Sequence, residues 1–144
     1  MGKSEEAVEQ FRSGANCSQA VLGVYAEQYG IDPESALAIA CGFGAGMGRM
    51  GHTCGAVTGA IMVIGLAAGE PDPRSFAAKI RVYGLVRTFI ERFTALHKTT
   101  SCRELLDCDL STPEGYEDAQ GRGLFQTQCP TYVQDAVEIL EEMF

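Results

Sequence analysis

Gly51-His52-Thr53-Cys54-Gly55-Ala56-Val57-Thr58-Gly59-Ala60, with the apolar run 61–68 behind it, is the stretch that decides the fold of this 144-residue chain. Between positions 54 and 68 the only polar side chain is Thr58, and the first charge comes at Glu70. Small residues recur four apart, Gly55 with Gly59 and Ala56 with Ala60. Residues four apart share one helix face, so two stripes of this segment let other backbones come close. A segment apolar on every side is buried on every side. It is shorter than the roughly 18 apolar residues that a bilayer span needs. The expectation is a central core helix with Cys54 at its leading end.

The flanking segments read as further helices. Ala7, Val8 and Phe11 mark one side of a short helix over 4–12, stopped by Ser13-Gly14. Asn16-Cys17-Ser18-Gln19 has the form of a capping box, opening a helix expected to end at Gly30 with Ala20, Val21, Val24 and Tyr25 at helical spacing. Asp32-Pro33 supplies an N-cap and a first-turn proline for a third helix, with Ala36, Leu37, Ile39 and Ala40 apolar. Five glycines over 42–51 predict a loop where backbone freedom is wanted. After Gly69, Asp72-Pro73 opens the longest segment, to about Lys98, with Phe76, Ile80, Tyr83, Ile90 and Phe93 on one apolar stripe and Val82, Leu85, Phe89 and Leu96 beside it. Gly84 inside it costs about 1 kcal/mol against Ala, which implies a close helix neighbour. Ser101-Cys102-Arg103-Glu104 is an S-x-x-E box before a brief helix. The polar stretch 111–128 reads as loop with at most one turn of helix. Cys129-Pro130 opens the last helix, with Tyr132, Val133, Ala136, Val137 and Leu140 inward. No strand alternation and no fixed-period repeat is present. The fold class is all-α: a single-domain compact bundle over 1–144, of about five to six main helices around the buried Gly/Ala-rich helix.

The totals exclude several classes. A domain of this length buries about 68–70% of its unfolded surface, enough for a core without disulfides. Hydrophobic residues make up 46% and charged residues 21%, an ordinary globular composition. Net charge is −8 with no Lys/Arg run, which argues against nucleic acid and against anionic membrane surfaces. The first residues lack the apolar core of a signal peptide, so the chain is expected in the cytoplasm, where thiols stay reduced. Its six cysteines (17, 41, 54, 102, 108 and 129) then read as metal, redox or core residues before they read as staples.

Four of the six share a position. Cys17 follows Asn16, Cys54 follows Thr53, Cys102 follows Ser101 and Cys129 precedes Pro130, so each lies at the N-cap or first turn of its own helix. A helix start carries about +0.5 charge and free N–H donors, which lower a thiol's pKa. Four such ends meeting would set about +2 of partial charge against four sulfurs. The plain alternative is packing, since cysteine is among the most buried residue types. Cys41 lies on an apolar helix face and reads as core. Cys108 reads as core or loop filler, with a resolving thiol as the sharper alternative. No C-x-x-C exists, so neither a zinc ribbon nor a thioredoxin-type dithiol is written locally. An all-thiolate set suits zinc or an iron–sulfur cluster. His52 and His97 lie near Cys54 and Cys102 in sequence, His52 being the candidate further ligand, against a surface or core role for each. Gly46-Met47-Gly48-Arg49-Met50-Gly51 matches G-x-G-x-x-G, but a helical segment precedes it and no strand follows, so the dinucleotide reading fails. Glycine N–H groups holding an anion remain open there.

Cys17, the motif Cys54-Gly55-Ala56-Val57-Thr58-Gly59, Cys102 and Cys129 together resemble the family described as putative redox-active proteins, with four scattered cysteines around a CGAxxG motif. The resemblance runs from about Asn16 to the C-terminus and implies a redox role for those four positions, with Cys41 and Cys108 outside the pattern. It implies no substrate and no named electron partner. Three functions stay open. The first is a redox site of Cys17, Cys54, Cys102 and Cys129, working through disulfides or through a metal or iron–sulfur centre. The second is a thiol–disulfide oxidoreductase with Cys54 attacking. The third is a non-catalytic, self-associating helical module with packed cysteines.

Overall fold

The computed structural model describes residues 1–144. In chain order the helices are α1 (Lys3–Arg12), α2 (Cys17–Gly23), α3 (Pro33–Ala40), a 3-10 turn (Cys41–Phe43), α4 (Gly44–Met47), α5 (Gly55–Ala68), α6 (Phe76–His97), α7 (Cys102–Leu106), α8 (Pro113–Gly121), α9 (Leu124–Thr127) and α10 (Cys129–Met143). The chain is all-helical. Its one extended pairing is a single antiparallel bridge, Thr53 to Ser101. No helix is long and apolar enough to cross a membrane.

The central helix forms where the apolar run predicts it, and its small residues do the expected work. A Cβ on Gly59 would lie 2.9 Å from the Ser18 carbonyl oxygen, and one on Gly55 would lie 2.9 Å from the Ser18 nitrogen. Helix α2 therefore crosses α5 in backbone contact. Ala56, Val57, Ala60, Val63 and Ile64 are fully buried on the remaining faces. Burial on every side holds only for this leading part: Ile61, Met62, Leu66 and Ala67 are half-buried.

Local hydrogen bonding explains most of the other boundaries. The Asn16 side chain accepts from the Gln19 N–H at 3.0 Å, and the Gln19 side chain accepts from the Asn16 N–H at 3.0 Å, completing the capping box. Asp32 caps α3 by accepting from the Ser35 N–H. Helix α2 ends at Gly23 rather than Gly30, because Tyr25 and Ala26 donate to carbonyls three residues back and tighten the chain into turns. The stretch 111–128 departs further from expectation. Thr112 accepts from the Gly115 N–H with Pro113 at the first turn, and α8 and α9 follow.

Helix α6 corrects two expectations. It starts at Phe76, capped by Ser75, because the Asp72 carboxylate accepts from the Arg74 N–H and turns the chain first. Its first apolar stripe also faces out at the leading end: Phe76, Ile80 and Tyr83 are 74%, 55% and 59% exposed, while Ala78, Phe89 and Phe93 are the buried residues. The trailing half packs on α5 and α10. The leading half has only the trailing end of α5 beside it, so one face stays open. Nothing lies within 4 Å of a Cβ built on Gly84, so no neighbour explains that glycine within the chain.

These two glycine environments predict opposite signs. Gly59→Ala is expected to destabilise the fold by about 1–3 kcal/mol, because a backbone must move to admit the methyl. Gly84→Ala is expected to stabilise it by about 0.5–1 kcal/mol, as at any open helix interior. Urea unfolding of both variants checks the pair.

Candidate functional site

The glycine-rich loop is more ordered than its composition suggests. Ala45, Gly46, Met47, Gly48 and Arg49 all have positive φ, from 54° to 69°, a left-handed turn inside and beyond α4. Three of the five are not glycine, and each costs about 1–2 kcal/mol in that region. The turn is held by the Gly51 N–H to the Ala45 carbonyl at 3.3 Å and the His52 N–H to the Gly46 carbonyl at 2.9 Å. Gly46 is required twice over. Its φ is 69°, and a Cβ would lie 2.8 Å from the Cys102 Cβ. A Cβ on Gly44 would likewise press on the Asn16 side chain. Gly44 thus lays this turn against the start of α2, and Gly46 and Gly51 of the G-x-G-x-x-G string lay it against the start of α7.

Two short hydrogen bonds then pair the segments that carry cysteines. The Cys54 N–H donates to the Thr100 carbonyl at 2.7 Å, and the Cys102 N–H donates to the His52 carbonyl at 2.6 Å. Cys17 opens α2 against Gly55, and Cys129 opens α10. Cys17, Cys54, Cys102 and Cys129 all line one cavity of about 370 Å³, walled mainly by Phe11, Leu105, Leu106, Leu110, Tyr116 and Phe125. All six cysteines are free thiols.

The sulfurs are not equivalent. The Cys54 thiol is pulled below its usual value, chiefly by a hydrogen bond from Cys17 and further by the Ala56 and Val57 N–H groups, against the opposing effect of burial. Cys17 is raised well above its usual value, because its proton is shared toward Cys129 and Cys54, with burial adding to this. Burial, followed by the charges of Cys54 and Cys129, pushes Cys102 up to about 12. The Tyr132 phenol donates to the Leu105 carbonyl at 3.0 Å, and burial first, then the neighbouring sulfurs, push it up to about 12. The expected lowering at helix starts is therefore realised at Cys54 and reversed at Cys17 and Cys102. At Cys17 the sharing of its proton with Cys129 and Cys54 outweighs the first-turn N–H groups, and at Cys102 burial and then like charge do so.

The remaining candidates fall elsewhere. Cys41, expected in the core, is exposed at the cavity edge, because the chain leaves α3 there and only the Cys41 carbonyl is engaged, by the Asn16 amide at 2.9 Å. Cys108 is buried away from the cavity, its thiol 3.0 Å from the Gly115 carbonyl and 3.4 Å from Asp118. His52 contributes its backbone and turns its ring to solvent, off the cavity wall. His97 pairs with Asp135 at 2.7 Å between Phe93 and Tyr132, a structural role. No three Cys, His, Asp or Glu side chains gather closely enough to hold a metal ion. The four sulfurs line one cavity. Two lining residues escaped the sequence reading. Arg49 lies inside the glycine string, and Tyr116 lies in the stretch read as loop.

Residues 15–143 match the family described as "Putative redox-active protein (C_GCAxxG_C_C)". The chain belongs to this family. That description writes the central motif as Gly-Cys-Ala, whereas here the order is Cys54-Gly55-Ala56. The match takes in Cys17, Cys54, Cys102 and Cys129 and supports a redox role in general terms. No curated protein and no solved structure matches the chain.

The raised acids set the alkaline limit of the fold. Above about pH 9 the unfolded chain loses the Cys102 proton, while the folded chain keeps it until about 12. The unfolded state then binds fewer protons, so stability falls as pH rises through that window. The melting temperature is expected to decline between pH 9 and 12, and Cys102→Ala is expected to flatten that decline relative to the parent chain.

Proposed function

We propose that this protein transfers electrons by thiol–disulfide exchange, with Cys54 as the attacking thiolate and Cys17 as the thiol that resolves it. The observation that carries the reading is the placement of Cys17 and Cys54 at the abutting starts of α2 and α5 on one cavity wall, where Cys17 and the first turn of α5 favour the ionised form of Cys54. Thiolate is the nucleophile in such exchange. Cys54 attacks one sulfur of a substrate disulfide, the substrate S–S bond breaks, and one thiolate leaves. Cys17 then attacks the Cys54 sulfur of the mixed disulfide. The second substrate thiolate leaves, the Cys17 proton passes to a leaving sulfur, and a Cys17–Cys54 bond remains. Two electrons have moved from the protein dithiol to the substrate. Cys129, which also shares the Cys17 proton, can take over the bond with Cys17 and return Cys54 to its free form. Cys102 shapes the electrostatics of the cavity without entering this exchange.

Alkylation tests the reading. Iodoacetamide at pH 7 is expected to label Cys54 before the other five thiols, with a rate that falls as pH drops through its lowered pKa. Cys17→Ala is expected to slow that labelling about three- to tenfold at pH 7, since one unit of upward shift removes about tenfold of the thiolate. Mild oxidation should yield a Cys17–Cys54 disulfide in peptide maps. Uniform slow labelling would sink the proposal. Stoichiometric zinc or iron with sulfide after anaerobic purification would replace it with a metal centre.

A second reading concerns assembly. The exposed Phe76, Ile80 and Tyr83 face, with Gly84 open beside it, favours pairing with a second copy through α6. Sedimentation should then give a dimer that Ile80→Lys dissociates; a monomer at all concentrations removes this reading.

A further inference from the structure

The thiol exchange leaves one lining side chain without a task. Arg49 stacks its guanidinium 3.7 Å from the centre of the Tyr116 ring at the rim of the cavity. It is the only charged side chain on that wall, in a chain of net charge −8. Arg74, Arg81, Arg92, Arg103 and Arg122 each hold a carboxylate. Arg49 holds none. Both ends of this residue are fixed: its backbone is set by the left-handed turn, with φ of 68°, and its tip by the aromatic stack. A guanidinium held over a ring keeps its N–H edge free for a planar anion. The rest of the cavity wall is mainly apolar, with the Phe125 ring 5.3 Å from that of Tyr116 and with Phe11 and Leu110 also lining it. The cavity volume of about 370 Å³ lies at the small end of ligand pockets, which run to about 1,000 Å³.

Resting on the thiol reading above, we infer that the cavity takes a small disulfide with an apolar or aromatic body and a carboxylate. The carboxylate sits on Arg49, the body lies against Tyr116 and Phe125, and a sulfur is presented to Cys54. Arg49 is then a specificity-determining residue. Exchange proceeds as written above: the Cys54–substrate bond forms as the substrate S–S bond breaks, and the Cys17–Cys54 bond forms as the second thiolate leaves. The protein dithiol supplies both electrons.

Two disulfide probes test this on the full, reduced chain. Dithiobis(nitrobenzoate) carries a carboxylate on each ring, and dithiodipyridine carries none. The rate of the Cys54 phase is measured with each, in the parent chain, Arg49→Gln and Arg49→Lys. Arg49→Gln is expected to lower the ratio of the carboxylated to the neutral rate about threefold or more, a size suited to a rim-exposed but charge-assisted contact. Arg49→Lys should restore part of that ratio. An unchanged ratio overturns the inference, even if both rates fall together through an effect on the thiolate. A second measurement needs no variant: nitrobenzoate should protect Cys54 of the parent chain from iodoacetamide better than uncharged nitrobenzamide does, and equal or no protection overturns the inference. Fast reaction of Cys54 with dithiodipyridine alone leaves the thiol reading standing without the carboxylate site. Failure of Cys54 to react ahead of the other thiols with either probe removes the thiol reading itself.

Discussion

The contact on which the rest depends is the crossing of α2 over α5, where Ser18 lies against Gly55 and Gly59 without room for a Cβ on either glycine. Backbones that close allow the first residues of two helices to face each other. Cys17 opens α2 directly before Ser18, and Cys54 precedes Gly55, so the same crossing that packs the core brings these two sulfurs together. Ser18 itself is fully buried, and its hydroxyl is satisfied by donating to the Ala40 carbonyl at 2.7 Å. That bond ties the end of α3 to the crossing and starts the glycine-rich turn from a fixed point. Core packing and site geometry are here one constraint.

The asymmetry among the sulfurs follows from how each helix start is surrounded. Cys54 stands as the N-cap of α5, where the Ala56 and Val57 N–H groups help to lower its thiol. Cys17 and Cys102 are the first residues inside their helices, and their surroundings are sulfur and hydrocarbon. A half-charge of helix dipole is a modest term, readily outweighed when a second thiolate shares the same dry space. One ionised sulfur among neutral neighbours is what such a cluster can sustain, and the neutral neighbours then serve as its donors.

Local signals read well from the sequence, and long-range ones less so. Asn16 with Gln19, and Asp32 with Pro33, declare their caps because the partners lie within one turn. Thr112-Pro113 carries the same signature, but it sits in a polar stretch with no apolar period to mark it, so the residues of α8 read from sequence as loop with at most one turn of helix. On α6 both flanks of the helix are apolar, and periodicity alone does not say which one the rest of the chain covers. The leading half turned out open because only the trailing end of α5 reaches it. The grouping of Cys17, Cys54, Cys102 and Cys129 was legible as a pattern of positions. Their differing acidities were not, since these arise between helices. Arg49 was hidden for a similar reason: its stacking partner lies 67 residues away in sequence, on α8.

The dispersal of the cavity along the chain has a consequence for synthesis. Cys54 leaves the ribosome long before α10, yet the proton that is shared among Cys54, Cys17 and Cys129 requires the start of α10 to be in position. A nascent chain can assemble the groups that lower Cys54, namely Cys17 and the Ala56 and Val57 N–H groups, before α10 emerges, whereas Cys17 gains Cys129 only when α10 docks. The resolving thiol, rather than the attacking one, is thereby coupled to the docking of α10.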